Sequence, residues 1–228
     1  LNTFKSTVKA IAARNGLFAS FMPKPIANQP GSGLHVNMSL LRDGKNLFEG
    51  DLVPDSEAGH FVAGILAHAR ELTAFCNPVP NSYARLGANE APLYISWSCQ
   101  NRSQLVRLPS AHGDLCRVEL RGPDPAGNPY LVIGLILAAG LDGTQRQRPR
   151  PDAVNRNLFP PRAAGGLDSL PPTQREAITV AGQSEFISCE LPVALQNKYF
   201  EYQTQLCHDA ESAPDIEAWE RAHSFLII

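Results

Sequence analysis

The chain has 228 residues, 43% of them hydrophobic and 18% charged, with a net charge of −2 and a pI near 6.3. This suits one sizeable soluble core or a large domain with an appendage, and it excludes the basic footprint that grips a nucleic acid. Five scattered cysteines, Cys76, Cys99, Cys116, Cys189 and Cys207, form no CxxC pair and predict reduced thiols of a cytoplasmic protein.

In chain order, Phe4, Val8, Ile11 and Ala12 fall on one helical face, which Asn15 and Gly16 would end. The stretch LFASFMPKP reads as a short apolar strand closed by prolines. A glycine-rich loop leads into a strand from about Leu34 to Leu41, with a turn at Asp43 and Gly44 into a second short strand. From Ser56, a plausible N-cap, apolar positions keep helical spacing to Cys76. NPVPNSYARLGANEAP, residues 77–92, is rich in turn formers and reads as a functional loop.

Three strands are expected at 93–97, 104–108 and 116–121. Asn128 and Pro129 then open a core helix that ends near Asp142 and Gly143. Its apolar run, Tyr130 to Leu141, is too short to cross a bilayer comfortably and contains glycines. A Pro/Gly/Arg-rich connection follows Gly143, then helices in PVALQNKYFEYQTQLCH and DIEAWERAHSFLII. The whole predicts an α+β fold with a mainly antiparallel sheet, flanking helices and a helical carboxy-terminal tail.

RVELR, residues 117–121, places Arg117, Glu119 and Arg121 on one side of a strand and Val118 and Leu120 on the other. A solvated outer face explains that stripe as readily as a polar pocket does. Gly31 and Gly33 in GSG allow a close backbone approach to a ligand, though a plain turn into a strand would use them too. His35, Asn37 and Ser39 follow on one strand face, roughly 7 Å apart. His35 is a structural residue or a metal ligand, and Asn37 and Ser39 suit nucleotide oxygens. Arg85, Arg102, Arg107, Arg117 and Arg121 crowd the loop and strands, with Glu90 and Glu119 as the local carboxylates. Arginines keep their charge when partly buried and grip carboxylates and phosphates in bidentate fashion. One coherent arrangement sets His35 and Glu119 on a divalent metal beside an anionic substrate, as metal-assisted phosphoryl transfer requires.

Taken together, FMPKP, GSGLHVNMSL, DGKNLF, NPVPNSYARL, EAP, WSCQNRSQLVRLP, RVELRGPDPAGNPY and AAGLDG resemble the catalytic domain of glutamine synthetase, in family order from about residue 4 to 143. The subtype most similar is the bacterial type I enzyme not regulated by adenylylation. The resemblance implies a curved sheet forming part of the family's catalytic barrel, with residues 1–143 as a partial catalytic core and 144–228 as its carboxy-terminal helical extension. By the same resemblance His35 and Glu119 bind metal, Mg²⁺ or Mn²⁺, near the ATP phosphates. Gly31, Gly33 and Arg85 hold glutamate, with Arg102 and Arg121 near the same substrate. Glu90 is the flap residue that acts on ammonium, Arg102, Arg107 and Arg121 surround the transferring phosphoryl group, and Asn37, Ser39, Arg107 and Arg117 contact ATP.

The departures carry information of their own. Pro30 stands where many relatives have Asn, Asn37 where some have a second His, and Phe159 where others have the adenylylated Tyr. The flap stretch RLGANEAP is one residue shorter than usual. The family's other metal glutamates would precede residue 1, so this chain is expected to be a fragment that is inactive alone. The implied reaction joins ammonia to glutamate through γ-glutamyl phosphate. The implied assembly is a dodecamer, with HSFLII, residues 223–228, suited to docking. A γ-glutamyl amine or polyamine ligase and a catalytically silent family member remain alternatives. No nucleic-acid or membrane partner is expected.

Overall fold

The computed structural model describes residues 1–50, 53–159 and 165–225. Its elements are mixed, helices around small sheets. Helix α1 spans Asn2–Arg14. LFASFMPKP, expected as a strand, pairs with no strand among the described residues; it runs as an irregular segment that buries Met22 and Lys24. The prolines at 23 and 25 remove ladder donors there.

Strand β1 is Val36–Met38, shorter than the expected 34–41, because Leu41 belongs to a separate hairpin. In that hairpin β2 (Leu41–Arg42) pairs with β3 (Lys45–Asn46) around Asp43 and Gly44, at φ +51° and +76°. Two positive φ values make the tight turn whose twist matches antiparallel strands.

The helix expected from 56 to 76 divides at His68 into α2 (Glu57–Ala67) and α3 (Ala69–Cys76). Ser56 caps α2, its side chain accepting from the Gly59 amide at 3.1 Å. At the break the His68 imidazole meets Glu71 at 2.6 Å and Asp142 at 2.9 Å, and it stacks on Phe186 at 4.0 Å. Burial opposes its protonation, but the two carboxylates outweigh burial and raise its pKa.

The expected loop at 77–92 is only partly a loop. Pro80–Arg85 forms helix α4, since a proline at the first helical position costs no hydrogen bond and presets φ. The three expected strands shrink to β4 (Trp97–Ser98), β5 (Val106–Arg107) and β6 (Val118–Leu120). They join β1 in a four-stranded sheet of order β1-β6-β5-β4. The β1–β6 and β5–β6 pairs are antiparallel, whereas β4–β5 is parallel, a direction the sequence pattern does not encode.

Helix α5 (Pro129–Gln145) is capped by Asn128 and buries Val132, Leu135, Ile136 and Ala139. It packs on α2 through glycines. A Cβ at Gly64 would sit 2.1 Å from the Ala139 carbonyl, and one at Gly143 would sit 2.2 Å from the His60 carbonyl. Beyond α5 come α6 (Gln174–Gly182) and α7 (Glu185–Glu190), which the sequence pattern did not resolve. Helices α8 (Val193–Glu211) and α9 (Ile216–Glu220) follow, with a π-helical turn at Arg221–Phe225. The remainder of the expected last helix, and of HSFLII, lies outside the described residues. On α8, Tyr199 stacks on Phe75 at 4.5 Å and donates to the Ala74 carbonyl at 2.8 Å. No helix among the described residues is long and apolar enough to cross a membrane.

The glycine seam makes opposite predictions for two glycines of the same helix pair. Gly64→Ala should lower stability by about 1–3 kcal/mol through overpacking against backbone. Gly134→Ala, with open space around it, should raise stability by about 0.4–1 kcal/mol. Urea unfolding of both variants checks the pair.

Candidate active site

Glu119 stands at the centre of the sheet. In the register it lies opposite Asn37 of β1 and opposite Arg107 of β5, so the three side chains form one row across three strands. Two residues along, just beyond the ends of β1 and β6, His35 and Arg121 flank that row, since extended backbone turns alternate side chains to one side. The Glu119 carboxylate meets His35 Nδ1 at 3.2 Å, Arg107 Nε at 2.8 Å and Arg121 Nη1 at 3.5 Å.

RVELR is therefore no solvated stripe: Glu119 and Arg121 are 7% and 3% exposed, and Val118 and Leu120 are buried behind them. Burial pushes the Glu119 pKa up, but Arg107, Arg121 and His35 outweigh it and hold the carboxyl below its ordinary range. Burial lowers the pKa of His35, and the Arg121 charge lowers it further against the pull of Glu119. The imidazole is thus kept neutral near pH 7, which leaves a ring nitrogen free to ligate a metal. His35 and Glu119 supply one nitrogen and one oxygen donor side by side, which fits part of a divalent ion's shell. No group of three or more His, Cys, Asp or Glu side chains among the described residues is placed to hold an ion by itself.

Beside this row opens a cavity of about 390 Å³ lined by Gly31, Gly33, His35, Arg85, Glu90 and Arg121, with Pro30 and Ala88–Ala91 at its rim. Arg85, the last residue of α4, is 4% exposed. Its guanidinium donates to the Gly122 carbonyl at 2.8 Å and the Arg121 carbonyl at 3.4 Å. Burial lowers its pKa; buried Asp124 opposes that shift and Arg121 adds to it. A Cβ at Gly33 would come within 2.7 Å of Arg85 Nη2, so a larger residue there would have to displace the guanidinium. Arg121 Nη2 donates to the Glu90 backbone carbonyl at 3.3 Å, while Glu90 itself is exposed. The cavity floor thus carries two buried cations from different elements, a place built for a carboxylate or phosphate.

Arg117 donates to Asn37 at 3.0 Å and to the Leu115 carbonyl at 2.9 Å, outside the cavity lining. Ser39 also lies off the cavity and donates to the Cys116 carbonyl at 2.9 Å. Arg102 is exposed on the turn between β4 and β5 and does not line the cavity, so the structure does not gather it with Arg85 and Arg121. Two features escaped the sequence reading. Asp124 is fully buried and accepts from Asn77 at 2.8 Å beneath the Arg85 turn. Asn89, at φ +52°, forms part of the rim. GPDP directly after RVELR, and Asn-Glu before Ala-Pro, were the available signals.

Residues 1–223 match the protein family described as "Glutamine synthetase, catalytic domain". The chain belongs to the glutamine synthetase catalytic-domain family. It is 48% identical over 191 residues to a glutamine synthetase of Clostridium saccharobutylicum, covering 80% of this chain and 43% of that protein. A glutamine synthetase of Methanosarcina mazei is 47% identical over 193 residues, covering 81% of this chain and 43% of the relative. A glutamine synthetase of Pyrococcus abyssi is 38% identical over 240 residues, covering 99% and 54%. Among solved structures, a GmaS/ADP complex superposes with a TM-score of 0.84 at 35% identity, covering 97% of this chain and 52% of the other. A GmaS structure without ligand gives 0.83 at 36% identity, covering 96% and 51%. The chain spans about half the length of the glutamine synthetases it matches.

The ionised Glu119 ties this family site to pH. Because its pKa is lowered on folding, the stability it contributes is complete above about pH 4.3, the ordinary glutamate value, and is lost as pH falls through its lower folded value. Glu119→Gln should be less stable than the parent at neutral pH, by about 1–3 kcal/mol for an uncompensated buried charge partner. The gap should close as pH falls through that lower folded value, as read from urea midpoints against pH.

Proposed function

We propose that this chain carries the glutamate- and phosphate-binding share of a site that joins ammonia to the γ-carboxylate of glutamate through an acyl phosphate, with ATP as phosphoryl donor. The observation that supports the reading best is the single carboxylate of Glu119 shared by His35, Arg107 and Arg121 at 2.8–3.5 Å, at the edge of a cavity floored by Arg85.

In this reading Arg85 grips the glutamate carboxylate inside the Gly31–Gly33 loop. Arg107 and Arg121 face the transferring phosphoryl group, and Arg102 reaches it only if its turn folds inward. Positioned cations lower the cost of spreading charge over phosphoryl oxygens, which is the main demand of phosphoryl transfer. His35 and Glu119 would hold Mg²⁺ or Mn²⁺, which when bound supplies Lewis-acid polarisation of phosphate oxygens. The other positions of its shell would be taken by substrate oxygens, water or further carboxylates. Glu90, exposed on the rim, would take a proton from an incoming ammonium. Asn37, Ser39 and Arg117 form the outer part of the row and would meet the nucleotide, and the ADP complex of the similar GmaS structure supports nucleotide occupancy.

We assign the chain to the bacterial type I group without adenylylation, on Phe159 and Asn37. The four-stranded sheet would be part of the family's curved barrel, residues 1–143 the catalytic core, and residues 144–228 a helical extension that packs through α6 onto α3. A cytoplasmic dodecamer with sites between subunits is the assembly this reading implies.

Calorimetric titration tests the proposal on the protein itself. Glutamate should bind, and Arg85→Ala should weaken it by about 10–100-fold, the loss of a charge-assisted contact. ADP should give heat only with Mg²⁺ or Mn²⁺, and His35→Ala should abolish that metal dependence. Absence of heat with both ligands would promote the silent-scaffold reading.

A further inference from the structure

The cavity's rim is held from behind by one buried amide. Asn81, on α4 one helical turn before Arg85, is 3% exposed. Its Oδ1 accepts from the Lys24 amide at 2.6 Å, and its Nδ2 donates to the Lys24 carbonyl at 3.1 Å and to Glu220 Oε2 at 2.7 Å. The side chain therefore pairs with the Lys24 backbone as a neighbouring strand would, in a segment with no strand partner among the described residues, and uses its remaining proton on a carboxylate from α9. All the hydrogen-bonding capacity that burial demands is filled.

From Lys24 the contacts lead to both sides of the cavity mouth. The adjoining Pro23 carbonyl accepts from the Ser32 amide at 2.8 Å, and Gly31 presses so closely on it that a Cβ would stand 2.3 Å away. The Lys24 ammonium donates to the Gln29 carbonyl at 2.5 Å, and that same carbonyl accepts from Asn89 at 3.2 Å. Gly31, Gly33 and Asn89 all line the cavity. Two rim segments far apart in sequence thus rest on one anchor, and the anchor is tied to the carboxy-terminal helix.

We propose that Asn81 is a positioning residue for the substrate cavity: it fixes the 23–33 segment, and through Gln29 the 88–91 rim, against Arg85, with Glu220 of α9 holding Asn81 in its working rotamer. The inference rests on the cavity being the ligand site, and it adds a coupling between α9 and the mouth of that site. Asn81 touches no substrate in this arrangement; it acts through Lys24.

Hydrogen exchange on the ligand-free protein, read at single amides by NMR, tests it. The Ser32 amide is the reporter, because its own acceptor, Pro23, is untouched by the substitutions. Asn81→Ala should speed Ser32 exchange by at least about 10-fold, the worth of one lost buried hydrogen bond, while amides within α2 and α5 keep their wild-type rates. Glu220→Ala should speed Ser32 exchange in the same local manner, and Glu220→Gln, which keeps an acceptor oxygen, should restore the parent rate. Glu220 is only partly buried, so its variants report even if Asn81→Ala fails to fold. Unchanged Ser32 exchange in both alanine variants, or a rise shared equally by α2 and α5, would overturn the proposal. Glutamate titration of the same samples separates this from the functional reading: no binding by the parent protein defeats that reading alone, whereas binding that is unweakened despite a loosened rim defeats the positioning role.

Discussion

A buried carboxylate must be paid for by partners, and the arrangement around Glu119 follows from that requirement. Taking a charge out of water costs several kcal/mol unless opposite charges and hydrogen bonds surround it. Glu119 meets the demand with Arg107 from β5, Arg121 just past the end of its own strand and His35 just before β1. Each partner lies on the same face only because the β1–β6–β5 register places Asn37, Glu119 and Arg107 in one row. A one-residue slip of any of these strands would send the charged side chains to the opposite face. The register that folds the sheet is the register that builds the site.

The same charges explain why the site can be ready without a ligand. Arg121 and Arg107 lean on Glu119, while Arg85 leans on backbone carbonyls and on the negative charge of Asp124. A carboxylate or phosphate entering the cavity would meet guanidinium groups already held by protein partners, so little ordering would remain to be done on binding. Burial, and after it the charge of Arg121, also lowers the pKa of His35 and so favours the neutral form a metal requires. Helices α2 and α5 stiffen the structure elsewhere, joined by glycines that let their backbones touch.

Much of this could be read from the chain, for reasons that can be named. The alternation in RVELR fixes which side chains share a face, and GSG followed by His35 places small residues next to a polar strand. What alternation cannot say is whether the face is covered. Arg121 shares a cavity with residues 30, 31, 33 and 88–91, and Glu119 meets His35 and Arg107, all of them distant in sequence or on other elements, so a solvated stripe and a buried pocket share one pattern. Arg102 belongs to the cluster by composition but sits on an exposed turn, because clustering in sequence does not determine where a turn points. Helix α4 was hidden by Pro80 and Asn81, residues that favour turns yet also begin helices. The split of the long helix at His68 depends on Asp142 and Phe186, contacts no local pattern contains. The parallel direction of β4 and β5 is equally a tertiary outcome.

We propose that His35 and Glu119 form the metal-facing pair of a polar site centred on the sheet. The most direct measurement is paramagnetic line broadening in NMR spectra of the protein titrated with Mn²⁺. Resonances of His35, Glu119 and their neighbours Asn37 and Arg121 should broaden first and together. Broadening that begins at other surface carboxylates and spares His35 and Glu119 would contradict it.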